Sequence, residues 1–181
     1  MWNEPAAHSD GDVIVFFRKS DVIVAGDIIA ADRYPYIDAK NGGSIDGIIR
    51  ALNRIVGTAV PEYNQQGGTR IVPGHGRIMN QSDVVEYRDM ATIIRDRIAA
   101  AINACYPSAS RRLSEEGRVL VTISIGADGK AGAMSVSQSS GFERLDGAAE
   151  CVIRRLPFDP GKRDGQPVEA QATLPIVFKL E

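Results

Sequence analysis

A chain of 181 residues with 21 Lys and Arg, 23 Asp and Glu and a net charge of −2 has room for one ordinary domain or two small ones. Its charges are interspersed with no basic block, so it carries no electrostatic footprint for nucleic acid. No apolar run approaches the roughly 20 residues of a membrane span, and Met1 to Pro5 show neither a charged n-region nor an apolar h-region, so the chain as written is expected in the cytoplasm.

Val13 to Phe17 and Val22 to Ala25 are short apolar, β-branched runs joined by the polar link Arg18 to Asp21. They predict adjacent strands buried on both faces. Gly26-Asp27 is expected to end the second strand, either as an ordinary turn pair or as a carboxylate placed at a strand's C-terminal edge. Ser44 precedes a helix with apolar positions at Ile45, Ile48, Ile49, Leu52, Ile55 and Val56, the stripe of a helix lying on a sheet, with Gly57 as its stop. A loop from Thr58 to Thr69 leads to the short strand Arg70-Ile71-Val72. Pro73-Gly74-His75-Gly76 follows, where flanking glycines let the backbone turn and leave the imidazole projecting. Ser82 or Asp83 is expected to open a second helix carrying Tyr87, Ala91, Ile94, Ile98 and Ile102 on one face.

The second half reads as a separate unit. Tyr106-Pro107 follows the helix, and Ser108 to Leu113 forms a short helical turn before Gly117. Val119, Val121, Ile123 and Ile125 alternate strictly, which predicts a strand with one buried face. Ala127-Asp128-Gly129-Lys130 is a hairpin turn, and the strand returns through Ala133 to Gln138. A helix buries Leu145, Ala148, Ala149, Val152 and Ile153 and closes at Leu156-Pro157. A last strand spans Val168 to Leu180. This helix, hairpin, helix, strand order makes a compact α+β unit large enough to fold alone.

Cys105 and Cys151 lack C-x-x-C spacing and define no metal knuckle. In a reducing compartment they read as two separate, partly buried thiols. In an exported context a Cys105–Cys151 disulfide becomes plausible, because both flank the same small unit.

The chain has only two histidines, His8 and His75. A lone His in a loop is usually a surface or packing residue. Here both adjoin strands and small residues, and Asp27 falls between them. Two neutral imidazoles and a carboxylate form a partial zinc sphere.

Residues 7–100 resemble the C-terminal half of the metallo-β-lactamase superfamily in four places: the AHSDGD segment, the AGD at Ala25 to Asp27, the stretch Arg33 to Gly47, and the PGHG loop. The resemblance implies an αββα half-sandwich and makes His8, Asp27 and His75 metal ligands, with zinc as the implied cofactor. The family's H-x-H-x-D-H motif is absent, since both histidines are already assigned. The implied ligand set is incomplete, no catalytic residue is assigned, and a single chain is expected to be inactive. The missing second sheet would leave an apolar face that favours pairing or aggregation.

Residues from about 103 to 181 resemble the C-terminal domain of the TonB family, through Tyr106-Pro107, ASRRLSEEG, GRVLVTISIGADGK, QSSGFERLDGAA, LPFDPGKRDGQPVEA and LPIVFKL. This resemblance implies a small antiparallel sheet, no chemistry, a periplasmic ancestry, and binding of a short segment of an outer-membrane receptor by strand addition. The whole chain is therefore expected to be α+β: residues 1–102 a truncated metallo-β-lactamase-like half, residues 103–181 a TonB-like domain. Its expected role is a non-catalytic interaction protein that takes a receptor-like peptide, or a second copy as a homodimer, along its final strand. The alternative is a zinc-dependent hydrolase whose site a second chain completes.

Overall fold

A computed structural model describes residues 1–63, 67–163 and 166–180. The predicted loops over 58–69 and before Pro167 fall partly outside them. The chain divides into two compact units, Met1–Arg95 and Asp96–Glu181.

In the first unit four strands lie in the order β1-β2-β3-β4: β1 Trp2–Asn3, β2 Val13–Phe17, β3 Val22–Ala30 and β4 Arg70–His75. The pairs β1/β2 and β2/β3 are antiparallel, and β3/β4 is parallel. A parallel neighbour needs a crossover, which α1 (Ile45–Thr58) supplies between β3 and β4. Ile48, Leu52 and Ile55 of α1 are fully buried against Ile14, Ile23 and Ile71 of the sheet. Each such side chain contributes about 1.5–3 kcal/mol by leaving water.

Period-two alternation sends Val15, Val24 and Val72, which are register partners, to the other face of the sheet. That face continues to Val13 and Phe17, which are 39% and 53% exposed. The expectation that β2 and β3 are buried on both faces is therefore corrected: the helix-side face is closed, and the valine face is open at β2.

Two predicted boundaries also move. β3 does not stop at Gly26-Asp27 but runs on to Ala30 through a register irregularity at Gly26, because β4 continues to pair with it as far as Ala30 opposite His75. Gly57 does not stop α1, which runs one residue further and ends where the Ala59 amide bonds to the Ile55 carbonyl.

Helix α2 (Gln81–Cys105) begins one or two residues earlier than predicted. Asn80 is the cap: the Asp83 amide donates to Asn80 Oδ1 at 2.9 Å, and the Asn80 amide donates to Asp83 Oδ2 at 3.0 Å. This reciprocal pair satisfies two donors otherwise left open at a helix start. Val84, Tyr87 and Ala91 of α2 are buried.

The second unit holds α3 (Ser108–Arg112), β5 (Gly117–Ile125), β6 (Ala131–Gln138), α4 (Glu143–Arg154) and β9 (Ala170–Phe178), with a small hairpin of β7 (Gly161–Arg163) and β8 (Gln166–Val168). Its main sheet has the order β6-β5-β9, antiparallel throughout. Val119, Val121 and Ile123 of β5 are buried with Leu145, Ala149, Val152 and Ile153 of α4, as the alternation and the helical stripe predict. The final strand is shorter than the predicted Val168–Leu180, because Gln166–Val168 belongs to the hairpin.

Cys105 at the end of α2 and Cys151 on α4 form a disulfide, with Cα atoms 5.8 Å apart. This corrects the reading of two separate thiols.

Candidate functional site

The first unit brings His8, Asp27 and His75 to one cleft of about 420 Å³, lined also by Arg33, Tyr34 and Tyr36. His8 is held there by the start of α1. Ser44 caps the helix by accepting from the Gly47 amide at 3.0 Å, while its hydroxyl donates to the Ala6 carbonyl at 2.8 Å. The Asp38 amide donates to the His8 carbonyl at 2.8 Å. Gly47 permits this docking, since a Cβ there would stand 1.5 Å from the Ala6 carbonyl oxygen. The segment Gly42 to Gly47 is thus a seat for the histidine loop.

Asp27 and His75 come from neighbouring parallel strands. His75 Nε2 lies 3.4 Å from Asp27 Oδ1, with both side chains about half exposed. Gly74 allows the approach, because a Cβ there would meet Asp27 Oδ1 at 2.3 Å. His8 Nδ1 faces Asp12 Oδ1 at 3.6 Å, and the Ser9 amide donates to Asp12 Oδ2 at 2.6 Å. Asp12 thus stands beside the His8 ring just beyond hydrogen-bond distance. Its place in AHSDGD was the signal, and sequence reasoning assigned it no part. Arg33, Tyr34 and Tyr36 likewise lie in the stretch Arg33 to Gly47, where the sequence gives them no individual role. Tyr36 lies against His8 with ring centroids 5.6 Å apart, and Arg33 pairs with Asp32 at 3.0 Å. That pairing holds the exposed Asp32 carboxyl below its ordinary value.

The fit to zinc is partial. Two imidazoles and a carboxylate are suitable donors, and they share a cleft. Among the described residues, however, no group of three His, Cys, Asp or Glu side chains converges to hold a metal ion.

The second unit offers a strand edge. β9 pairs with β5 over nine residues, from Ala170 opposite Ile125 to Phe178 opposite Gly117. Among the described residues no strand lies on its other side. Pro175 stands within it opposite Leu120. Proline has no N–H, so it fits this ladder where its nitrogen points outward. Gln171, Thr173 and Val177 share its parity and present outward N–H groups, with Pro175 interrupting the row. The Thr122 and Thr173 hydroxyls meet across the ladder at 3.0 Å.

Beneath β9, Tyr106 is buried edge-on to Phe178, with centroids 5.2 Å apart, and donates its hydroxyl to the Glu115 carbonyl. Burial raises its pKa. Glu115 is itself buried and takes a two-point contact from Arg144. That guanidinium lowers the carboxyl's pKa. A groove of about 290 Å³ opens at the end of β9, lined by Val177, Lys179, Ile102, Asn103 and Arg111 among others.

An antiparallel three-stranded sheet backed by a helix and open at its last strand defines a small α+β module suited to adding an extended chain. Residues 103–180 match the family model described as Gram-negative bacterial TonB protein C-terminal, so this part of the chain is similar to a TonB C-terminal domain. Protein tonB2 of Pseudomonas aeruginosa is 37% identical over 75 residues, covering 41% of this chain and 28% of that protein. Protein TonB of Vibrio cholerae is 36% identical over 84 residues, covering 46% and 34%. The chain thus spans about a third or less of these relatives' lengths. The NMR structure of the Helicobacter pylori TonB-CTD is 26% identical, covering 49% of this chain and 81% of that one with a TM-score of 0.36. The crystal structure of VMB-1 at pH 5.5 is 13% identical, covering 49% and 38% with a TM-score of 0.37. Likenesses at these scores support no assignment. No helix among the described residues is long and apolar enough to cross a membrane.

Proposed function

We propose that this chain is a non-catalytic interaction protein whose TonB-type domain binds an extended segment of an outer-membrane receptor along the open edge of β9. The observation that carries this reading is the one-sided pairing of β9, a nine-residue ladder on β5 with its opposite edge free of any described strand. Outward amides and carbonyls supply affinity in strand addition, and alternate side chains supply selectivity. This role belongs in the periplasm, and the Cys105–Cys151 disulfide favours that oxidising compartment over the cytoplasm expected from the first residues. On this reading residues 1–102 are a catalytically incomplete metallo-β-lactamase-like half. The test is titration of the full chain with a short extended peptide, followed by backbone amide shifts. Shifts at Gln171, Thr173 and Val177 are expected; shifts confined to α4, with β9 silent, would overturn it.

A second reading has its own observation. His8, Asp27 and His75 share one cleft, which supports a zinc-dependent hydrolase whose remaining ligands come from a second chain. These three residues would hold the metal, which when bound would acidify a water molecule. Zinc retained stoichiometrically through His8, Asp27 and His75 only when the chain is associated with a second one would favour this reading.

A further inference from the structure

We propose that the groove at the end of β9 is a carboxylate-reading subsite, in which Arg111 and Lys179 select an acidic side chain on the strand that adds to β9. The inference rests on the strand-addition reading and names the chemistry of the partner.

Three observations converge on it. First, the groove is continuous with the edge, because Val177 both presents the last outward amide of β9 and lines the groove. An added strand that bonds to Val177 delivers its next side chain there. Second, the groove is mixed in character: apolar Ile102, Val177 and Leu180 and the two cations Arg111 and Lys179 line it together.

Third, among the described residues neither Arg111 nor Lys179 has an ion-pair partner. Arg111 is held in place all the same. Its guanidinium carbon lies 4.5 Å from the centroid of the Tyr106 ring, and Nη2 donates to the Asn103 carbonyl at 2.9 Å. Those contacts leave other donors of the planar fork unused. A fixed guanidinium beside a mobile ammonium suits a carboxylate better than a neutral group, and ordering the arginine in advance lowers the entropic cost of binding. Glu116 stands at the rim, where its Oε1 accepts from the amide of the lining residue Leu180 at 2.6 Å.

Pro175 gives the subsite a register. It removes the donor between Thr173 and Val177, so a partner strand bonds on either side of a gap. Selection is then by the position of the acid along the strand as well as by its charge.

The experiment uses the full chain and blocked peptides of alternating Thr and Val, carrying one Asp near one end, near the other end, or replaced by Asn. Binding is read by titration and by backbone amide shifts. One Asp peptide is expected to bind about fivefold or more tightly than its Asn counterpart, with the advantage reduced by salt. Lys179→Gln and Arg111→Gln should each shrink that advantage, read as the ratio of Asp-peptide to Asn-peptide affinity within each variant. Because Arg111 also packs on Tyr106, the exposed Lys179→Gln variant keeps the test independent of folding. If both Asp peptides and the Asn peptide bind β9 equally, the subsite is overturned while strand addition stands. If no peptide shifts β9 amides, both fall.

Discussion

Pro175 on the edge strand faces Leu120 on the central strand, in a ladder that otherwise runs unbroken through nine pairs. An edge rich in Ile, Val, Phe and Leu is a template for pairing with a second copy, and a proline whose nitrogen faces outward blunts it. Replacing Pro175 by Thr restores one outward donor per chain. At about 1 kcal/mol net per hydrogen bond, two new bonds in a symmetric pair should tighten self-association by roughly tenfold or more. Sedimentation of the full chain checks this; an unchanged monomer fraction would remove the gatekeeper role from Pro175.

The disulfide between Cys105 and Cys151 closes a loop across a sequence separation of 46. A cross-link over that span restricts the unfolded chain by about 4 kcal/mol in the loop-entropy account, and measured gains fall around 2–4. Reduction by a thiol should therefore lower the melting temperature of the unit from Asp96 to Glu181 and leave the unit from Met1 to Arg95 unchanged. A Cys151→Ser variant should reproduce the shift without reductant. Equal melting of oxidised and reduced protein would mean that the bridge adds nothing to the fold.

Glu115 and Arg144 give the same unit an acid limit. Arg144 holds the folded carboxyl below its ordinary 4.5. A depressed folded value means that the contribution is complete above 4.5 and is lost as pH falls from there through the folded pKa. Denaturant unfolding of the wild type should weaken over that window more steeply than that of Arg144→Gln, which should be less stable at neutral pH because it leaves a buried carboxylate without its cation. Parallel slopes for the two proteins would assign the acid sensitivity elsewhere, Asp146 being the next candidate because Ser139 and Ser140 outweigh the burial that opposes its lowered value.

What the sequence disclosed followed local periodicity. Ser44 and the spacing of Ile48, Leu52 and Ile55 mark α1, and the alternation from Val119 to Ile125 marks β5, because in both the buried face is written in neighbouring residues. What stayed hidden depends on distant partners. β3 continues past Gly26 because β4 pairs with it, and α1 runs through Gly57 to Thr58, where the Ala59 amide still bonds to the Ile55 carbonyl. The start of α2 was misplaced within Asn80-Gln81-Ser82-Asp83, where three residues can cap and the reciprocal bonds decide between them. The gathering of His8, Asp27 and His75 was expected through a resemblance, and the structure places them on one cleft. The nearness of Asp12 to His8 is an i,i+4 relation within AHSDGD, whereas no spacing rule could have indicated the approach that Gly74 permits.

The cleft of the first unit makes the last prediction. Zinc bound there should depend on His8, Asp27 and His75 jointly, since no two of them fill a tetrahedral sphere and four ligands are the rule for a tight site. Affinity should accordingly be weak in the isolated chain and should fall as the solution is acidified, because protonated imidazole cannot ligate. Calorimetry with zinc alone on the full chain, set against the triple alanine variant at these positions, measures the difference. Asp12→Asn should weaken binding by about tenfold through loss of the carboxylate facing His8 Nδ1, without removing a ligand. Lactamase or thioester hydrolysis by the monomer should be absent; zinc-dependent turnover that travels with the monomer and vanishes in His75→Ala would show that the site is complete after all. Zinc binding that survives the triple substitution would place the metal elsewhere and leave the cleft without a metal-binding role.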